Sequence, residues 1–431
     1  MFNYENLLIV GSGGREHALG WKISRDNKFN KTYYANGNGG THQNISIQPS
    51  EIDKLAEFAK QNKCFTIIGP ETPLSLGIVD LFDQQGLPIF GPSKNAANLE
   101  TSKEFAKNFM KSSSIPTADF EIFEDRNKAI DHINKVDDEL VIKADGLASG
   151  KGVFVTNNKQ EAITAVNQLL ENKIFGISSE KIVIEKKIIG EELSIIAICD
   201  GRSFVLLDPS RDHKRAFDND IGPNTGGMGS ISPVPGIDEE QMHEISKKIF
   251  EPALKGMARN GNPYRGFLYA GLIIEKNSGK PYVLEFNARM GDPECQSLLI
   301  RMESNLFECM LSANHQSLDA MKPLEWNNKF AVCVIMASRG YPCKYETGYS
   351  IKGLDKTNPQ DVMVFHSGTK INLDNEIVTN GGRVIGVTAL GNSLKDAVTK
   401  SYENVERISW GNNQQYYRKD IGKKEIAKSL Y

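Results

Sequence analysis

The chain has 431 residues, 39% of them hydrophobic and 24% charged, a balance that fits a globular protein and not a tail, a fibre or a membrane span. Lys+Arg of 51 against Asp+Glu of 54 leaves a net charge of −3, so no strong field of either sign points to nucleic acid or an anionic membrane as partner. Six scattered cysteines without a CxxC pair argue against a zinc cage or a disulfide framework and fit reduced thiols in the cytosol.

At roughly 150 residues per domain the length predicts about three domains. The opening MFNYENLLIV lacks a basic n-region and carries only a short apolar run, so it reads as neither signal peptide nor anchor. Up to about residue 100, apolar runs alternate with amphipathic stretches: Leu7 to Val10, a helix from about Glu16, Lys31 to Tyr34, Cys64 to Ile68, and Pro88 to Phe90. That alternation predicts βαβ units on a parallel sheet. Ser50 is the expected N-cap of an intervening helix, with Asp53 at N3 and Ile52, Leu55, Ala56 and Ala59 along one face. The loops GSGG, ANGNGG, GPETP and GPS fall at the carboxyl ends of the strands, where ligands of open α/β sheets sit.

Ala96 to about Pro116 forms one helical pattern, closed by SSSIP. Next come a strand at Leu140 to Ala144, a helix near Glu161 to Glu171, strands at Lys181 to Glu185 and Leu193 to Cys199, and a long polar loop from Asp208 to Pro235. Tyr269 to Glu275 and Pro281 to Phe286 flank NSGK as a hairpin. After Trp326, the strands AVCVIMAS, VMVFHSG and RVIGVTALG lead to a helix opened by Ser393. There is no repeat or low-complexity linker, which predicts three closely packed modules.

The 38 glycines are the unusual count, and they cluster in the motifs. In LLIVGSGGREH, a strand runs into Gly11, Gly13 and Gly14 with a helix after them, which aims N–H groups at an anion, and Arg15 adds a charged fork. A dinucleotide fits poorly. Glu16 replaces the third glycine, and Ala35-Asn36-Gly37 stands where an acid for the ribose should follow the second strand. A sugar or nucleotide phosphate and a plain tight turn both remain open. VIKADGLASGKGV pairs Lys143 on a strand with a glycine loop carrying Lys151. It is either a phosphate cradle, though not a Walker A motif, or a hairpin with solvated lysines. VIEKKIIGEELS offers Glu185 to Ile188 to an adenine edge and Glu192 to ribose hydroxyls, or is a solvated charged face.

Asp208 to Ser230 gathers Arg211, Asp212, His213, Lys214, Arg215, Asp218 and Asp220 around PNTGGMG, and long loops in compact domains are functional or disordered. In YVLEFNARMGDPE, Glu285 and Asn287 are two apart on a strand and share a face. A carboxylate and an amide oxygen there suit Mg²⁺, and Arg289, in step with them, suits a carboxylate. A solvated strand edge fits this trio less well. His17 and His213 lie in motifs, and the other histidines show no metal spacing. No GxSxG, HExxH or paired Cys/His arrangement occurs.

Taken together, GSGGREHA, GPETPLSLG, GPSKNAANLETSK, VIKADGLASGKGV, DHKRAFDNDIGPNTGGMG, EFNARMGDPE, FHSGT, TNGGRV and RKDIG resemble the glycinamide ribonucleotide synthetase (phosphoribosylamine–glycine ligase) family, in family order up to about Gly422. Departures are Asn36 for proline, Ser149 for alanine and Met290 for phenylalanine. The resemblance implies an α/β and α+β multidomain chain. A Rossmann-like parallel sheet is expected over 1–102, an ATP-grasp core with a mobile lid at about 118–190 over 103–325, and a β-rich domain over 326–431. It implies that ATP, glycine and 5-phosphoribosylamine give glycinamide ribonucleotide, ADP and phosphate through a glycyl phosphate, in the second step of purine synthesis. The implied cofactors are ATP and Mg²⁺ or Mn²⁺. The implied setting is a cytoplasmic monomer acting on small molecules, with transient contact to the preceding enzyme of the pathway.

By the same resemblance, Lys103 and Lys143 hold ATP phosphates, Gly150, Lys151 and Gly152 form the γ-phosphate lid, and Glu185, Lys186, Ile188 and Glu192 hold adenosine. Glu285 and Asn287 hold the metal. Lys214, Arg289, Gly226 and Gly227 face glycine and the acyl phosphate, and Asp212 or Glu294 takes the amine proton. Gly13, Gly14 and Arg15, helped by Asn36, Gly37, Gly39 and Glu71, hold the phosphoribosyl group.

Overall fold

A strand buried on both faces needs an unbroken apolar run, and β1 (Asn6–Gly11) provides one at the centre of a five-stranded sheet. The computed structural model describes residues 4–147, 152–357 and 360–428, so Gly150 and Lys151 lie outside the described residues. The sheet runs β3 (Asn44–Ile45), β2 (Thr32–Asn36), β1, β4 (Cys64–Ile68), β5 (Ile89–Phe90), all parallel. This is the Rossmann-type order expected from the alternating runs. Helices α1 (Gly14–Asp26), α2 (Ile52–Gln61), α3 (Glu71–Leu76) and α4 (Ile78–Gln84) connect the strands.

Two helix boundaries differ from expectation. Glu51, not Ser50, is the N-cap of α2, because the Glu51 carboxylate accepts from the Gln48 N–H at 2.8 Å and closes the preceding turn itself. The single helix expected from Ala96 is split into α5 (Asn98–Thr101) and α6 (Lys103–Ser112). Ser102 turns extended between them and its hydroxyl accepts from the Phe105 N–H at 3.1 Å, starting a fresh helix at Lys103.

The middle of the chain builds two sheets. The smaller, of order β6-β9-β7-β8, contains β6 (Phe120–Phe123), β7 (Leu140–Ala144), β8 (Val153–Val155) and β9 (Ile182–Lys186). It packs α7 (Arg126–Lys135) and α8 (Lys159–Val166) around its own core of Ala129, Ile133, Ile142, Ala165 and Ile184. The larger, of order β11-β10-β16-β17, contains β10 (Gly190–Asp200), β11 (Phe204–Leu206), β16 (Arg265–Glu275) and β17 (Pro281–Asn287). The β16–β17 hairpin around NSGK stands as expected.

The long polar loop expected over Asp208 to Pro235 instead carries four short strands: β12 (Arg211–Asp212), a hairpin of β13 (Arg215–Phe217) and β14 (Ile221–Asn224), and β15 (Gly229–Ser232). Composition misleads here because β15 is buried yet polar. Its hydroxyls are bonded, Ser230 to the Pro293 carbonyl at 2.7 Å and Ser232 to the Pro209 carbonyl at 3.0 Å, so burying them carries little penalty.

β15 pairs with β18 (Phe330–Ser338), stitching the middle of the chain into an antiparallel sheet with β20 (Val362–His366) and β23 (Arg383–Gly391). Shorter strands β19 (Ile351–Lys352), β21 (Thr369–Ile371) and β22 (Ile377–Thr379) flank it. Helix α13 (Leu394–Val405) packs on this sheet after the predicted cap, Ser393, whose hydroxyl accepts from the Asp396 N–H at 3.1 Å. Helices α9 (Glu239–Ile245) and α10 (Glu251–Arg259) precede β16, and α11 (Glu294–Leu299) and α12 (Leu306–Asn314) follow β17.

Candidate active site

A cavity of about 720 Å³ opens where α6, the β7–β9 sheet, β17 and the segment 212–226 meet. Two charged strand positions and one helical pair set its character. On β7, Lys143 reaches the Leu284 carbonyl at 3.0 Å and the Glu185 carboxylate at 2.9 Å. On α6, Lys103 donates to the Gly146 carbonyl at 3.0 Å. One turn on, Lys107 meets the other Glu185 oxygen at 3.0 Å and Thr117 at 2.6 Å. Burial pulls the Lys107 amine down to about 8, and lowers Lys103 as well.

Glu285 and Asn287 face this cavity from β17, as the period-2 spacing requires. A bulge at Leu284 frees that residue's carbonyl for Lys143. Desolvation opposes ionisation of Glu285, but Lys214, Lys143, Lys103 and Arg289 outweigh it and hold its carboxyl at about 2. Lys214 lies 3.3 Å from Glu192 and 3.5 Å from Glu285. Against burial, these two carboxylates keep it charged well above the usual lysine range. Glu285 and Asn287 form a two-oxygen set, and among the described residues no three His, Cys, Asp or Glu gather as a metal cluster. That donor set fits Mg²⁺, which is commonly bound by one or two protein oxygens together with substrate phosphates.

Arg289 also lines the cavity, held by acids on the protein side while its Nε makes no hydrogen bond. It lies 2.7 Å from Glu100 and 3.6 Å from Glu71, and donates to Asn287 at 3.1 Å. Glu294 accepts from Ser194 at 3.0 Å. Asp212 Oδ1 is buried with no hydrogen-bond partner, and burial, reinforced by Glu294, raises the Asp212 carboxyl well above its usual value. Gly227 is required beside it. The residue has φ of +108°, and a Cβ there would lie 2.6 Å from Asp212 Oδ1.

The other expected residues divide into two groups. Gly152, Lys186, Ile188, Glu192, Arg15, Glu71 and Gly226 line the cavity. Glu185 also lines it, but its carboxylate is buried between Lys107 and Lys143. The N-terminal glycines lie elsewhere. The Gly13 N–H donates to Glu16 at 2.6 Å, and Glu16 also holds Arg15 at 2.7 Å. A Cβ on Gly14 would meet Gln296 at 2.5 Å and Ser367 at 2.7 Å. Asn36 is exposed and bonds Gln48 at 2.9 Å, the Gly37 N–H donates to the Gly11 carbonyl at 3.3 Å, and the Gly39 N–H donates to Thr369 Oγ1 at 3.0 Å.

Sequence reasoning missed Glu100, Lys107, Asp292 and Arg383. The i,i+4 spacing of Lys103 and Lys107 on α6 was the available signal for Lys107, whereas Glu100 lies on α5, across the break at Ser102. Arg383 donates to the Gly226 carbonyl and, at 2.6 Å, to the Asp292 carbonyl. Despite burial, Arg383 and Arg15 hold the Asp292 carboxyl below the usual range.

Lysines from a helix and a strand line the cavity beside a small sheet and a larger antiparallel one, the architecture of the ATP-grasp class. Sequence models of phosphoribosylglycinamide synthetase match along the chain: the N domain over residues 5–100, the ATP-grasp (A) domain over 101–295 and the C domain over 331–424. The chain belongs to the phosphoribosylglycinamide synthetase family. It is 43% identical over 433 residues to the phosphoribosylamine–glycine ligase of Rhodopirellula baltica, covering 98% of each. It is 44% identical over 428 residues to that of Pseudomonas aeruginosa, covering 98% of this chain and 99% of the relative. The crystal structure of the Thermotoga maritima phosphoribosylamine–glycine ligase superposes with a TM-score of 0.84 at 36% identity, covering 96% of this chain and all (100%) of that one. A biotin carboxylase from Campylobacter jejuni shares the fold alone, at 14% identity and a TM-score of 0.72, covering 95% of this chain and 92% of that one. Among the described residues, no helix is long and apolar enough to cross a membrane.

Proposed function

We propose that the protein joins glycine to 5-phosphoribosylamine at the expense of ATP, giving glycinamide ribonucleotide, ADP and phosphate. The observation that carries this reading is the cavity itself, sized for a nucleotide and lined by Lys103, Lys143 and Lys214 together with the ionised Glu285. A carboxylate is a poor electrophile, so the glycine oxygen first attacks the γ-phosphorus and ADP leaves. The amine nitrogen then attacks the carbonyl carbon of glycyl phosphate, and inorganic phosphate leaves. Both steps develop charge on oxygen, and fixed cations at that place lower the barrier without reorganising.

Lys103 and Lys143 neutralise the β- and γ-phosphates, and Glu185, from behind, fixes the direction of Lys143. The linker at Lys186 to Ile188 faces adenine and Glu192 the ribose. The family resemblance assigns Gly150, Lys151 and Gly152 to the γ-phosphate, the first two lying outside the described residues. Glu285 and Asn287 would hold Mg²⁺ or Mn²⁺, which would supply charge neutralisation for the transferred phosphoryl group. Lys214, Arg289 and the Gly226-Gly227 backbone face glycine. Asp212, with its raised carboxyl, or Glu294 takes the amine proton. Arg15 and Glu71, on the wall nearest α1, take the phosphoribosylamine, with Gly13, Gly14, Asn36, Gly37 and Gly39 shaping the loops behind them. The setting is the cytoplasm, as a monomer. The test is phosphate release with ATP and fresh phosphoribosylamine, with and without glycine. Release that ignores glycine sinks the reading.

A further inference from the structure

The segment Arg418 to Glu425 carries the RKDIG motif, which has no part in the proposed reaction, yet its Arg418 side chain reaches a residue of the cavity wall, Arg215. The Arg418 side chain is 1% exposed and sits between Asp220 at 2.8 Å and Asp420 at 2.7 Å. It also donates to the Arg215 carbonyl at 3.2 Å. The main chain repeats the contact: the Lys419 N–H donates to Asp218 at 2.7 Å, and the Asn219 N–H to Asp420 at 2.8 Å. Four contacts from one short segment therefore hold the β13–β14 hairpin, three of them at its tip. At that tip Asn219 and Asp220 stand at φ of 61° and 54°, the left-handed backbone of a tight hairpin turn, which Asn and Asp adopt more readily than other side chains.

The base of the hairpin is anchored by the same C-terminal stretch. Arg211 pairs with Glu425 at 2.9 Å, and a Cβ on Gly229 would lie 2.9 Å from Ile421. Between these anchors the hairpin delivers Lys214 and Thr225, bonded to each other by the Thr225 N–H to Lys214 carbonyl contact at 2.8 Å, and then Gly226.

We propose that the C-terminal segment is a clamp, and that Arg418 is a positioning residue. By fixing the hairpin tip, it sets where Lys214 and the Gly226 backbone stand against the substrate. Arg418 touches no substrate itself. The lysines of α6 and β7 are held by Gly146, Glu185 and Leu284, none of which bonds to the clamp. Loosening the clamp at Arg418 therefore shifts the glycine side of the cavity while the lysines of its phosphate side stay held. This rests on the reading of the cavity given above.

The experiment compares the full-length protein with Arg418→Ala, Arg418→Lys, Asp220→Asn and the Arg418→Ala/Asp220→Ala double variant. Because the Asp220 side chain is 55% exposed, Asp220→Asn remains readable even where loss of Arg418 disturbs folding. For Arg418→Ala the expectation is a fall in kcat of about tenfold or more and a raised KM for glycine, with the Kd for ADP unchanged, since small misplacements near the reacting atoms cost this much. Arg418→Lys recovers part of the loss. The double variant is no worse than Arg418→Ala, because both changes break one contact. Hydrogen exchange at Lys214 to Gly226 rises in Arg418→Ala and in Asp220→Asn.

Unchanged exchange in that segment overturns the proposal. So does a lower melting temperature with unaltered kcat and glycine KM, or an equal loss of ADP binding. A wild-type protein with no glycine-dependent turnover defeats the functional reading alone, and hydrogen exchange then still decides whether the clamp orders the hairpin.

Discussion

Two regions were expected to grip phosphate: the lysine wall formed by α6, β7 and β17, and the N-terminal GSGG and ANGNGG loops. At the first, the expected charged groups converge on one cavity. At the second, the N–H groups of Gly13, Gly37 and Gly39 are spent on Glu16, Gly11 and Thr369. A charged side chain on a buried strand must find a cavity or a counter-charge, because burying it alone is costly. A glycine reports only that no Cβ fits, and gives no hint of what occupies the space. Glu16 shows the difference. Its carboxylate fills the concavity at the start of α1, and a Cβ on Gly69 would lie 1.9 Å from it.

The largest expected effect falls on the lysine wall. Lys143→Ala removes a fixed cation from the proposed phosphate site and should lower kcat by about 10²–10³-fold, the cost of deleting one preorganised donor. It also leaves Glu185 with only Lys107, so circular dichroism and melting are read alongside turnover. Near-normal turnover in a folded Lys143→Ala protein would remove the contrast between the regions.

The N-terminal region is expected to answer to pH through stability. His17 and His366 meet beneath Gly40, and the His366 N–H donates to His17 Nδ1 at 3.0 Å. Burial pulls His17 from 6.5 down to about 3, helped by His366 and His42, and pulls His366 down to about 4. Both are therefore neutral when folded, whereas in the unfolded chain they take up protons near 6.5. Their contribution is complete above that pH and is lost as the pH falls from about 6.5 towards 4, at up to roughly 1.4 kcal/mol per pH unit for each group. Denaturant midpoints at pH 7 and pH 5 measure the slope, and His366→Asn should flatten it. A slope that stays as steep in the variant would assign it to other groups.

What was legible follows the same division. Lys143, Glu285 and Asn287 could be placed because a strand of period two, closed by apolar neighbours, leaves few directions for a charge. Ser393 was legible as a cap because the motif is local. The role of Glu185 was not, since its two lysine partners come from α6 and β7, and nothing local distinguishes a buried acid from a ligand-facing one. Asp208 to Pro235 was misread as a loop because Ser230 and Ser232 look solvated until Pro293 and Pro209 supply their acceptors. Arg383 stood in a recognised motif, but its partners Gly226 and Asp292 lie 157 and 91 residues away.

Gly69→Ala probes directly what the N-terminal glycines are for. The new methyl group collides with the Glu16 carboxylate, and overpacking of a filled site costs about 1–3 kcal/mol. The expected result is a lower melting temperature with an unchanged KM for phosphoribosylamine. A raised KM with an unchanged melting temperature would return the loop to the substrate.

The smallest effect is expected at Asn36. It is exposed, bonds only Gln48 by its side chain among the described residues, and has φ of 75°. Asn36→Gly keeps the left-handed backbone at no steric cost, so stability should change by less than about 0.5 kcal/mol and the KM for phosphoribosylamine should not move. Asn36→Pro, the residue expected at this place from the family resemblance, demands φ near −65° and should destabilise this chain more than glycine does. If Asn36→Gly instead raised that KM severalfold, the side chain would belong to the substrate site. The comparison would then have to be redrawn with ANGNGG on the side of the lysine wall.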